Sequence, residues 1–231
     1  MDILSILFVL AVLVVFSLVV LLAIQTNRKD IQQKQQMTQS LGFTPVEATP
    51  ELTRKIARLY YRPGAKNKYE LRNVSRKAIP DGEMYLFDLM ETSSDEDTSS
   101  ENQAVAITSR YLKMPHFTFF PRADPKYALS GVANKVMDWA MSRMGRVMAF
   151  PEFPEFSARY IVTSDDDPQF IRAFLDARRA QFFAQTQLYA LHALGDTFTF
   201  SEVDPQFKKL DQESLSRRVN RALEIYRILQ M

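Results

Sequence analysis

Residues 3–24, ILSILFVLAVLVVFSLVVLLAI, contain no charged side chain, and nothing else in the chain restricts its fold as much. As a helix rising about 1.5 Å per residue the stretch reaches about 33 Å, against a hydrocarbon core of about 30 Å. A core helix of a water-soluble domain is shorter and keeps polar positions. A cleaved leader needs a basic start, an apolar run of about 7–15 residues and a small-x-small site. Here Met1-Asp2 has no Lys or Arg, and Leu22-Ala23-Ile24-Gln25 offers no such site. Residues 3–24 are therefore expected to be a permanent transmembrane helix in contact with the lipid bilayer.

The flanks set an orientation. Arg28, Lys29 and Lys34 follow the stretch and no cation precedes it. Cations close to a span stay on the cytoplasmic side. The expected arrangement is a single-pass protein of the cell membrane, with the N-terminus outside and the C-terminal part in the cytoplasm.

That C-terminal part is long enough for one mid-sized domain or two small ones. The chain has 231 residues, a formal net charge of +2 and no cysteine. The charge balance excludes a bulk polyanion binder. The lack of cysteine excludes disulfides, thiolate metal sites and a cysteine nucleophile.

Residues 25–42 are polar, with good helix formers and no Pro or Gly before Gly42, so they are expected to form a helical stalk ending at that glycine. Ile31 and Met37 are too sparse for a coiled-coil seam. Residues 43–231 form the expected α+β domain, with room for a sub-boundary near residues 150–155. It opens with TPELTRKIARLYY, where Thr49 suits a cap, Pro50 suits the first helical position, and Leu52, Ile56 and Leu59 share a face. YELRNV, EMYLFDLM, QAVAITS and HFTFF follow as short strands of a mainly antiparallel sheet, interrupted by the acidic, serine-rich ETSSDEDTSSEN. Residues 135–144, with the only tryptophan, Trp139, suit a helix.

After FPEFPEF the pattern predicts a β-α-β-β-α module. FSARYIVT alternates like a half-buried strand, DDDPQFIRAFLDARRAQFFAQ reads as one helix, and QLYALHAL pairs with DTFTFSEV across Gly195-Asp196. A closing helix from about Gln212 carries Leu215, Val219, Leu223, Tyr226 and Leu229 on one face.

Chemistry has no visible address. Ser164–Pro168, SDDDP, stacks three carboxylates, yet consecutive side chains do not converge on one cation; Asp167 capping a helix that begins at Pro168 is the reading preferred. His116 and His192 lie apart, each inside an expected strand and neither in a motif. No nucleophile elbow, Ser-x-x-Lys, P-loop or dinucleotide fingerprint occurs. No catalytic, cofactor-binding or metal-binding residue is expected, and no cofactor.

Charge placement is the remaining signal. Between Arg54 and Lys77 nine basic residues face one acidic residue, Glu70. Arg54, Lys55, Arg58, Arg62, Lys66 and Lys68 are the candidate contacts, either as plain solvated faces, or toward anionic headgroups, or toward a protein partner. Tyr60, Tyr61 and Tyr69 among them would also permit stacking on single-stranded nucleic acid, against which the near-neutral charge of the chain argues.

One N-terminal span followed by KYELRNV, YLFDL, FSARYIVTSDDDPQFIRAF and an amphipathic closing helix resembles uncharacterised bacterial single-span membrane proteins. The likeness covers most of residues 50–230 and rests on aromatic and aliphatic spacing together with Tyr160, Asp167 and Arg172. It implies an architecture and a bacterial inner-membrane setting, and no catalytic residue. The expected role is a membrane-anchored accessory or scaffolding protein. The alternatives are a module binding anionic headgroups through residues 54–77, or an enzyme without a recognisable motif.

Overall fold

The computed structural model describes residues 31–61, 67–93, 99–122, 146–186, 189–202 and 211–230. The expected span 3–24, the helix expected over 135–144, Arg62 and Lys66 lie outside these residues. Among the described residues no helix is long and apolar enough to cross a membrane.

Among the described residues the fold is α+β, with nine strands in one sheet and six helices. The strands are β1 (Thr44–Pro45), β2 (Asn67–Ile79), β3 (Gly82–Ser93), β4 (Ser99–Ser109), β5 (Met114–Pro121), β6 (Arg146–Met148), β7 (Tyr160–Ser164), β8 (Tyr189–Gly195) and β9 (Thr197–Glu202). The helices are α1 (residues 31–40), α2 (Pro50–Tyr60), α3 (Pro154–Arg159), α4 (Pro168–Phe174), α5 (Ala177–Gln185) and α6 (Gln212–Gln230). The spatial order β1-β2-β3-β4-β9-β8-β5-β7-β6 is antiparallel throughout. Strand β5, from before residues 150–155, lies between β7 and β8, from after them.

The sheet has two unlike faces. Met84, Leu86, Val105, Ile107, Phe117, Phe119, Val162, Leu191, Phe198 and Phe200 turn to the side covered by α1, α3, α4, α5 and α6. Aromatic rings fill this core edge to face: Phe119 meets Phe183 at 5.0 Å and Phe156 at 5.3 Å, and Tyr189 meets Phe200 at 5.1 Å. Burial pushes the Tyr160 phenol there up to about 12. The other face of β2–β4 carries Leu71, Val74, Phe87, Leu89, Ala104 and Ala106 beneath Leu52, Ile56 and Leu59 of α2. Thr49 caps α2 by accepting from Leu52 N at 3.1 Å, with Pro50 behind it, as the sequence predicts.

Strand β2 serves both faces because it changes phase. Asn73 and Val74 oppose the single residue Phe87, a bulge between the pairs Arg72↔Asp88 and Ser75↔Leu86. Asn73 takes φ 50°, the left-handed position that short polar side chains tolerate. Tyr69 and Leu71 therefore face α2 before the bulge, and Val74 does so after it. The β2–β3 hairpin turns through Pro80-Asp81, with Asp81 at φ 67°. Gly82 follows because a Cβ there would lie 2.3 Å from the Thr108 carbonyl oxygen.

Two expectations are corrected. Residues 156–163 are not one half-buried strand: Pro154–Arg159 is helix α3, and β7 begins only at Tyr160, with all five residues buried. Pro154 at the first helical position starts a turn that places Phe156 under Tyr160, rings stacked at 5.5 Å, so a period of four mimicked one of two. The long helix after Asp167 is broken at Leu175 and Asp176. Asp176 caps α5 by accepting from Arg179 N at 2.8 Å, while buried Leu175 fixes the corner. The β8–β9 hairpin turns at Gly195-Asp196 as predicted, with Gly195 at φ 61°.

Candidate functional site

The candidate site is the end of the sheet at which α1 begins. There Asn67 of β2 pairs with Ser93 of β3, and Ser99 of β4 pairs with Thr92. The opposite end holds Gly82, Ser109, Met114 and Gly195.

Helix α1 is the expected stalk, and it lies on the sheet. Its partly buried residues Ile31, Lys34, Met37 and Leu41, with buried Thr38, recur at helical spacing and face the strands. Lys34 Nζ stands 3.0 Å from Asp88 Oδ2, on a carboxylate only 2 % exposed. Asn73 Nδ2, from the bulge, donates to the same oxygen at 2.7 Å. Seven residues after Lys34, the Leu41 carbonyl accepts from Lys77 Nζ at 2.7 Å, and that ammonium sits over the Phe43 ring. Helix α1 thus runs alongside β2 from Asn73 toward Lys77, and its N-terminus points to the Asn67 end.

The helix stops at Gly42, φ 81°. Phe43 N donates to Thr38 O at 3.1 Å and Gly42 N to Gln39 O at 2.9 Å, the paired bonds of a Schellman ending. The glycine signal was legible in the sequence. The Lys34–Asp88–Asn73 cluster was not singled out, although a signal existed: Asp88 shares the parity of Met84 and Leu86, both buried. A carboxylate in such a row needs a cation or donors from whatever covers it.

Helix α2 runs back toward the same end on the opposite face. Lys55, in its middle, pairs with Asp196 at 2.9 Å near the Gly82 end. The Tyr60 carbonyl, at its close, accepts from the Tyr69 hydroxyl at 3.1 Å. Burial pushes the Asp196 carboxyl up, yet the Lys55 ammonium and the Thr197 hydroxyl together hold it below its ordinary value of 3.8.

The sheet divides the predicted basic residues. Arg54, Lys55 and Arg58 belong to α2, whereas Lys68 pairs with Thr92 on the side of the sheet that carries Asp88. Lys55 is engaged inside the domain, as are Arg72 with Glu70 at 2.8 Å, Arg76 with Glu83 at 3.1 Å, and Lys77. Arg54, Arg58 and Lys68 are exposed, and none of the three meets a carboxylate of the described residues. Beside Arg58, Tyr61 is 62 % exposed at the end of α2. Glu91, the acid nearest this corner of β3, is occupied by Asn67 Nδ2 at 2.5 Å and by the Tyr69 hydroxyl at 3.4 Å.

The other candidates serve the fold. Asp167 caps α4, accepting from Gln169 N at 2.9 Å. Asp166 accepts from the backbone N–H of His116 at 2.6 Å, in the irregular stretch of β5 between Met114 and Phe117. Asp166 and Asp167 thus serve different partners, and among the described residues no group of His, Asp and Glu could hold a metal ion. His192 is buried, with Nδ1 at 3.1 Å from the Thr118 hydroxyl and its ring 4.1 Å from that of Tyr60, whose hydroxyl meets Thr199 at 2.9 Å. His116 lies outside this cluster. Tyr160 is a core residue, and Arg172 donates to the Ala149 carbonyl at 2.7 Å across the Phe150 ring.

No known protein family, curated protein or solved structure matches the chain. The reading of function therefore stands on this geometry and on the sequence.

Proposed function

We propose that this chain is a non-enzymatic, single-span protein of the bacterial inner membrane, an accessory or scaffolding component. Its domain is held at a fixed height and orientation under the cytoplasmic leaflet. One observation carries the reading. The segment that follows the apolar stretch is packed on the sheet, through a cation and a carboxylate that is almost wholly buried. A flexible tether needs no such contact. A helix docked on the sheet soon after an anchor in the sequence gives the domain an orientation.

The direction of α1 agrees: its N-terminus, the end that the apolar stretch precedes in sequence, points to the Asn67 end of the sheet. The surfaces left for partners are the sides and the Gly82 end.

The test uses the absence of cysteine. Lys113, exposed near the Gly82 end, is changed to Cys in the full chain, and whole cells are treated with a membrane-impermeant maleimide. Labelling only after lysis supports the cytoplasmic arrangement. Labelling of intact cells contradicts it.

A further inference from the structure

We infer that the Asn67 end of the domain contacts the anionic headgroups of the same bilayer, through Arg58 and Tyr61 on one side of the sheet and Lys68 on the other. The inference rests on the anchored reading above and names the surface that meets the leaflet.

Four observations converge. First, the N-terminus of α1, which the apolar stretch precedes in sequence, points to this end of the sheet. Second, Arg58 and Lys68 at the Asn67 end are exposed and unmatched among the described residues, as is Arg54 one turn back on α2, while Arg76 pairs with Glu83 and Lys55 with Asp196. Third, the acids of β2 and β3 near them are already used: Glu91 by Asn67 and Tyr69, and Glu70 by Arg72, whose guanidinium holds that carboxyl below its ordinary range. Fourth, Tyr61 stands in the open beside Arg58. Tyrosine with neighbouring cations is the side-chain set favoured where water meets the headgroups, the ring entering the interface and the charges resting on phosphate.

The two cations flank the edge of the sheet, so together they resist tilting in either direction. The helix dipole also favours Arg58 in the last turn of α2, but it gives no reason for the exposure of Tyr61 or for Lys68. An acidic stretch joins β3 to β4 at this same end, with Asp95, Glu96 and Asp97 between Ser93 and Ser99. It opposes the attraction, so replacing those three by their amides should raise the response to anionic lipid.

The full chain is placed in nanodiscs of phosphatidylcholine, with or without phosphatidylglycerol. A small aromatic fluorophore is attached to a single cysteine at Tyr61, Lys113 or Val19, and quenched by nitroxide lipids. The expected result has three parts. The Val19 probe is quenched by acyl-chain nitroxides in both lipids. The Tyr61 probe is quenched by headgroup nitroxides at least twofold more strongly in anionic discs, and loses that excess at high salt or in Arg58→Glu/Lys68→Glu. The Lys113 probe responds in neither.

A Val19 probe that is quenched while Tyr61 behaves like Lys113 overturns the headgroup contact, keeps the anchor, and leaves the free cations to a protein partner. Equal quenching at Tyr61 in neutral and anionic discs also overturns it, since charge would then play no part. An unquenched Val19 probe removes the anchored reading itself, and this inference with it.

Discussion

Helices α1 and α2 lie on opposite faces of the same three strands and are held there by opposite chemistry. Helix α2 puts Leu52, Ile56 and Leu59 into an apolar pocket over Phe87, Leu89 and Ala106, and a capping threonine fixes its start. Helix α1 brings little apolar surface, chiefly Ile31, Met37 and Leu41. It relies on Lys34 against Asp88 and Asn73, and on Lys77 closing the Leu41 carbonyl at its end. Apolar burial is insensitive to direction and registers loosely. A buried ion pair with a shared oxygen is satisfied at one position only, and one turn of slippage leaves a carboxylate in the core without its cation. The difference suits the two tasks: α2 completes a core, and α1 fixes where the domain sits relative to what precedes it.

Substitutions that separate these chemistries should differ in size and in what rescues them. Ile56→Ala, at a position 0 % exposed, should have the largest effect, a loss of about 3–4 kcal/mol in chemical denaturation, and no second change on β3 should restore it. Lys34→Met should cost about 2–3 kcal/mol, less than a fully buried pair because the lysine is partly exposed, and it should release α1 to protease. The double change Lys34→Met/Asp88→Leu should recover most of that loss. A double variant as unstable as the sum of the two single changes would mean that the pair is not the latch.

Thr49→Ala removes the α2 cap and should cost about 1 kcal/mol, read as a small shift of the midpoint at unchanged slope. The smallest effect is a pH effect. The Asp196 carboxyl is held below 3.8 in the folded state, so the stabilisation from Lys55 is complete above the unfolded value and is lost as pH falls through the folded one. Lys55→Met should therefore lower stability slightly at neutrality, where the pairing is complete, and flatten the loss of stability below about pH 4. A profile still as steep as that of the unaltered chain would assign the acid sensitivity elsewhere.

What the sequence disclosed follows from the same contrast. Features made by a repeating apolar period or by backbone rules were legible: α2 with its cap, the Gly42 stop, the Gly195 hairpin, and the closing helix with Leu215, Val219 and Leu229 buried. Features in which one side chain answers another far along the chain were not. Asp88 reads as an isolated polar residue in a strand until Lys34, 54 positions earlier, is laid across it. The basic run between Arg54 and Lys77 reads as one patch, yet a helix-to-strand crossing sends its halves to opposite faces and ion pairs remove several members. At α3, Phe156 and Tyr160 satisfy both a strand period and a helical turn, and Pro154 decides between them.

The central claim is that α1 is docked on the sheet when the chain is in its membrane, and a distance between two points measures that directly. Nitroxides at Gln36, on the exposed side of α1, and at Arg110, beyond β4, can be introduced singly into the cysteine-free chain and compared by pulsed electron resonance in nanodiscs. The account predicts one narrow distance that broadens in Asp88→Ala. A broad distribution in the otherwise unaltered chain, no narrower than in that variant, would contradict it.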